Sequence, residues 1–91
     1  MNFEQFCNAL KSMPRSMRRT ARKYILSKSR YCPITAVAST VLKKDFSVQY
    51  YSEAGYELGM SQALINKIAR AADSKTSCPK TRSKMLECLK D

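Results

Sequence analysis

The chain has no histidine and no tryptophan, only two glycines and three prolines in 91 residues, and seven acids against seventeen lysines and arginines. Without histidine, both the usual general base near neutral pH and the commonest neutral metal ligand are missing. The acids (Glu4, Asp45, Glu53, Glu57, Asp73, Glu87 and Asp91) are scattered, and none pair as a carboxylate dyad. Glu53 and Glu57 stand one helical turn apart, which is ordinary surface spacing. No glycine-rich phosphate loop occurs. These absences remove the usual constellations of catalysis, so a non-enzymatic protein without a cofactor is expected.

The scarcity of glycine and proline also argues against long low-complexity segments. No window approaches the roughly 20 apolar residues of a membrane span. The opening MNFEQFCNAL lacks the basic and apolar regions of a secretory signal. The expectation is a single small helical domain over residues 1–91, cytoplasmic and without a membrane partner, with its thiols reduced. Cys7, Cys32, Cys78 and Cys88 lack the close Cys-x2-Cys pairs of thiolate zinc sites, so no metal is expected. Cys32 and Cys78 each precede a proline that can open a helix, and the cysteines read as small hydrophobes packing between helices.

Hydrophobic residues, 44% of the chain, fall mainly at helical intervals. Residues 2–11 place Phe3, Phe6, Cys7 and Leu10 on one stripe, with Asn2 able to cap. Pro14 suits the first turn of a second helix, residues 14–27, with Met17, Ala21, Tyr24 and Ile25 on its apolar face. Pro33 opens a third, residues 33–42, whose β-branched content would also suit a strand. Ile34, Val37, Ala38, Val41 and Leu42 nevertheless keep helical spacing. A fourth helix spans 48–58 with Ser47 or Asp45 as cap, Ser61 caps a fifth over 62–72, and Pro79 opens a last one carrying Met85, Leu86 and Leu89. The expected fold is an all-α, compact bundle of five or six short helices. Its core should include Leu10, Ile25, Val37, Val41, Leu58, Ile65, Ile68 and Leu86.

Charge is distributed unevenly. Residues 11–30 hold Lys11, Arg15, Arg18, Arg19, Arg22, Lys23, Lys28 and Arg30 and no acid. Such a field favours a polyanion or an acidic protein surface as partner. On the second helix, Arg15, Arg18, Arg19, Arg22 and Lys23 line the face opposite the apolar stripe. Mixed charge would have been the ordinary route to solubility. A membrane surface fits less well, since the apolar face has no Trp or Phe and is thinned by Ala21.

The stretch AGYELGMSQALINKIARAA, residues 54–72, has a small residue (Gly55), a turn glycine (Gly59), a capping Ser61 and apolar Ala54, Leu58, Met60, Ile65 and Ile68. Over residues 54–70 it resembles the helix-turn-helix of bacterial and phage regulators. That resemblance implies a second helix whose solvent face, Ser61, Gln62, Ala63, Asn66, Lys67 and Arg70, meets DNA. Gln62 and Asn66 are candidate adenine readers and Arg70 a candidate guanine reader, with Lys67 beside them. The five cations of the second helix would contact phosphates, so that one helix positions while another specifies. The expected partner is therefore nucleic acid, double-stranded DNA foremost, bound by a monomer or a homodimer. YCPITAV together with the 54–73 segment is also similar to small helical proteins encoded by phages. This implies a different use of the basic helix, as an inhibitor gripping an acidic surface of a host defence or transcription protein.

Overall fold

The computed structural model describes residues 1–26, 33–72 and 78–90. Among these it contains six α-helices, one 3-10 turn and no strand, so the chain is an all-α bundle. The helices are α1 (Phe3–Ser12), α2 (Arg15–Leu26), α3 (Pro33–Leu42), α4 (Tyr51–Glu57), α5 (Gln62–Ala72) and α6 (Pro79–Cys88).

The starts and stops follow local chemistry. At α1, Asn2 Oδ1 accepts from the Gln5 N–H at 2.8 Å and Gln5 Oε1 accepts from the Asn2 N–H at 2.8 Å, a reciprocal capping box. The helix ends at Met13, whose extended backbone is what a following proline imposes. α3 ends where Lys43 takes a left-handed conformation, φ 54°, a position usually given to glycine. The fourth helix begins later than its sequence suggests. Residues Val48–Tyr50 form a 3-10 turn whose leading Ser47 makes no side-chain cap, and α4 follows without one. With no side-chain acceptor for the first N–H groups, tighter bonding such as Tyr50 N–H to Ser47 O (2.9 Å) opens the segment instead.

α3 lies at the centre of the packing and touches α1, α2, α4 and α5; α6 closes the far side against α1 and α5. Phe6, Leu10, Met13, Ile25, Ile34, Val37, Ile65, Ile68, Met85 and Leu89 are almost wholly enclosed. Of the expected core, Leu10, Ile25, Val37, Leu58, Ile65 and Ile68 are buried. Val41 is not: it is 51% exposed, in the last turn of α3 where its face is no longer covered. Leu86 is half-buried. Tyr24, at 43% exposed, also departs from its expected place. α2 docks on a narrow stripe of Met17, Ala21 and Ile25, with Thr40 Oγ1 donating to Met17 Sδ at 3.6 Å, and Tyr24 falls to the side of it. Met13 was legible only as part of a helix interruption, yet it is fully enclosed.

Candidate functional site

The corner between α4 and α5 is built from its two glycines. Gly55 is buried, and a Cβ there would stand 2.5 Å from Ile65 Cγ1 and 2.6 Å from Cδ1, so only a glycine lets the two helices cross this closely. Gly59 has φ +76°, the left-handed region that costs a side chain about 1–2 kcal/mol. Its N–H donates to Tyr56 O (2.9 Å) while Met60 N–H donates to Gly55 O (2.9 Å), closing the α4 carbonyls in a Schellman arrangement. Ser61 Oγ then accepts from Leu64 N–H at 3.1 Å and starts α5. Ala54, Leu58, Met60, Ile65 and Ile68 are all buried, fastening both helices to α3 and to each other.

This leaves Ser61, Gln62, Ala63, Asn66, Lys67 and Arg70 exposed together on α5, the face the sequence marked. Two residues that the sequence did not mark join them. The Tyr56 hydroxyl donates to Gln62 Oε1, and Gln62 Nε2 donates to Asn66 Oδ1 at 2.8 Å, so the two amides are held as one unit. These bonds use one lone pair and one N–H of Gln62, leaving a second of each for an incoming partner. Lys67 Nζ sits 5.2 Å from the centre of the Phe3 ring, a cation–π contact that orients the ammonium. Met1 N donates to Gly59 O at 3.0 Å, so the start of α1 lies against the turn. Tyr56 was detectable as an aromatic six positions before Gln62 across a tight turn; the α1 contacts had no sequence signal.

On α2 the five expected cations divide. Arg15, Arg19, Arg22 and Lys23 are exposed. Arg18 is half-buried and turned toward the end of α1, where its Nη1 donates to Met13 O at 2.8 Å and Lys11 O at 3.4 Å. Its Nε is buried without a hydrogen-bond partner. Arg18 therefore caps the C-terminal carbonyls of α1. Lys28 and Arg30 lie outside the described residues. α6 adds exposed Lys80 and Lys84.

The cysteines pack as small apolar groups, with Cys7 and Cys88 buried and Cys78 half-buried; Cys32 lies outside the described residues. Cys78 leads into α6 without a side-chain cap. Cys7 and Cys88, eighty-one positions apart, meet where α1 packs on α6, and their thiols hydrogen-bond. Burial pushes the Cys7 thiol up to about 11, helped by the neighbouring Cys88 and opposed by Lys84 and Lys11. Among the described residues no three His, Cys, Asp or Glu side chains gather as metal ligands, and no helix is long and apolar enough to cross a membrane. Comparison with family models, with curated proteins and with solved structures finds no match to this chain.

Proposed function

We propose that this chain is a non-enzymatic nucleic-acid-binding protein, a phage-type regulator in which α5 reads bases and α2 holds phosphates. The observation that carries the reading is the α4–α5 corner. Its close crossing at Gly55 and Ile65 and its positive-φ Gly59 are what a helix-turn-helix requires, and they present a polar, undocked α5 face. Tying Gln62 to Tyr56 and Asn66 lowers the rotamer freedom a base contact would have to freeze. Arg15, Arg19, Arg22 and Lys23 supply the electrostatic share of affinity through counterion release.

A second reading rests on a separate observation. The cation-rich face of α2 sits on a helix that docks by one narrow stripe, and it needs nothing from α5 to grip an acidic protein. In that case the chain is an inhibitor of a host protein, and α5 is only a packed helix with a solvated side.

Selection of bound sequences from random duplexes, followed by titration at two salt concentrations, separates the two. The DNA-reading proposal expects an enriched motif. Gln62→Ala or Asn66→Ala should lose roughly 1–3 kcal/mol on that motif alone. Removing Arg19, Arg22 or Lys23 should weaken binding to every duplex and flatten the salt dependence by about one unit per lost phosphate contact. Absence of any enriched motif would sink base reading and leave the acidic-protein proposal.

A further inference from the structure

Cys7 and Cys88 belong to neither of the faces just described. They come from the first and last helices, both are buried (4% and 3% exposed), and both are free thiols in mutual contact. Sulfurs at hydrogen-bonding separation lie a small side-chain rotation away from an S–S bond of about 2.05 Å. Cys78 cannot take the place of Cys88, because it stands at the opposite end of α6, about 15 Å away along the helix axis.

We propose that Cys7 and Cys88 are a disulfide site, an oxidisable pair that links α1 to α6 by exchange with a small disulfide such as oxidised glutathione. One cysteine loses its proton and attacks a sulfur of the oxidant, and one glutathione thiolate leaves and is protonated. The second cysteine, deprotonated in turn, attacks the protein sulfur of the mixed disulfide and expels the other thiolate. The protein gives up two electrons and two protons, and one oxidised glutathione becomes two reduced ones. Because the second sulfur is already in place, the resolving step is intramolecular and fast. Both thiols are enclosed, so the first step waits on local opening of the α1–α6 contact.

The link would close a loop over nearly the whole chain, the case in which a crosslink restricts the unfolded ensemble most. It would also join the two helices that brace the corner. α1 touches the turn through Met1 and Phe3, and α6 reaches the ends of α2 and α5 through Arg82.

The test uses the chain carrying Cys32→Ser and Cys78→Ser, equilibrated in glutathione buffers. One sample starts fully reduced and the other is oxidised in denaturant and refolded. Both should converge on a Cys7–Cys88 link, seen as loss of two hydrogens from the intact mass and as a joined peptide on non-reducing mapping. The midpoint of thermal unfolding should rise on the order of 10 °C. Two free thiols or glutathione adducts at equilibrium from both directions would overturn the proposal, as would a link that lowers the midpoint. Should the double variant fail to fold, mapping the unaltered chain decides: pairing of Cys7 or Cys88 with Cys32 or Cys78 instead of with each other overturns it too.

Discussion

Arg82 Nη2 donates a 2.7 Å hydrogen bond to the carbonyl of Ile25, fifty-seven positions earlier in the chain. The same guanidinium reaches Ala71 O at 3.4 Å and Ala72 O at 3.3 Å through Nη1. One planar cation on α6 thus caps the C-terminal ends of α2 and α5, where carbonyls lack helical partners and the helix dipole is negative. The basic helix and the proposed reading helix are held in register by a residue belonging to neither.

Arg82→Met keeps the apolar stem and removes the fork. It should cost roughly 2–3 kcal/mol, since hydrogen bonds to charged groups are the stronger kind and three buried-end carbonyls lose their donor. Arg82→Lys should recover only part, because a point charge cannot serve both helix ends as a fork does. Urea unfolding of the three proteins measures this, and an unchanged midpoint for Arg82→Met would show the clamp to be dispensable.

Gly55→Ala drives a methyl into Ile65 and should destabilise by about 1–3 kcal/mol through overpacking. Gly59→Ala should cost about 1–2 kcal/mol for a different reason, the left-handed backbone. The two mechanisms separate in combination with Ile65→Val, which removes Cδ1: it should relieve part of the Gly55→Ala loss and none of the Gly59→Ala loss. Equal behaviour of both glycine variants in that background would contradict the crossing geometry.

Arg18 and Arg22 sit one turn apart and should fail in different assays. Arg18→Gln uncaps the end of α1 and should lower stability by about 1–2 kcal/mol. Arg22→Gln, on the exposed face, should leave stability within about 0.5 kcal/mol. In duplex titrations the order reverses, with Arg22→Gln reducing affinity and salt slope when compared at a temperature where both variants are fully folded. Loss of duplex binding with Arg18→Gln but not Arg22→Gln would move the phosphate contact away from the exposed face.

The Cys7 thiol titrates near its ordinary 9 in the unfolded chain and at about 11 in the folded one. The folded state therefore keeps its proton where the unfolded state has released it, and stability contributed below pH 9 is lost between pH 9 and 11. The loss should be on the order of 2 kcal/mol by linkage. Tyrosines and lysines titrate in the same window, so the readout is the difference between the parent and Cys7→Ala under reducing conditions. Identical pH profiles for the two would remove Cys7 as the cause.

Much of the fold was legible in the sequence because the signals are local. Asn2 with Gln5, Pro14, Pro33, Ser61 and Pro79 mark helix starts through their own backbone or side-chain chemistry, and apolar spacing of three and four residues gave the buried faces. The spacing of Gly55, Gly59 and Ser61 likewise gave the α4–α5 corner, since a close crossing and a positive φ each demand glycine at one position. The α5 face followed as the remainder of its helix.

What periodicity could not supply was how far each stripe is covered. Val41 keeps the helical spacing of a core residue and is exposed, because coverage depends on where neighbouring helices end. Arg18 shares its helix with four exposed cations and turns inward, because the uncapped carbonyls of α1 lie within its reach. Arg82 with Ile25, Cys7 with Cys88, and Lys67 with Phe3 pair residues far apart in the chain, so no sequence spacing encodes them. The sequence by itself determined the helices, the corner and the sign of the field. Tertiary structure alone decided which cations remain outward and which thiols meet, because those depend on distances set only once the six helices have packed.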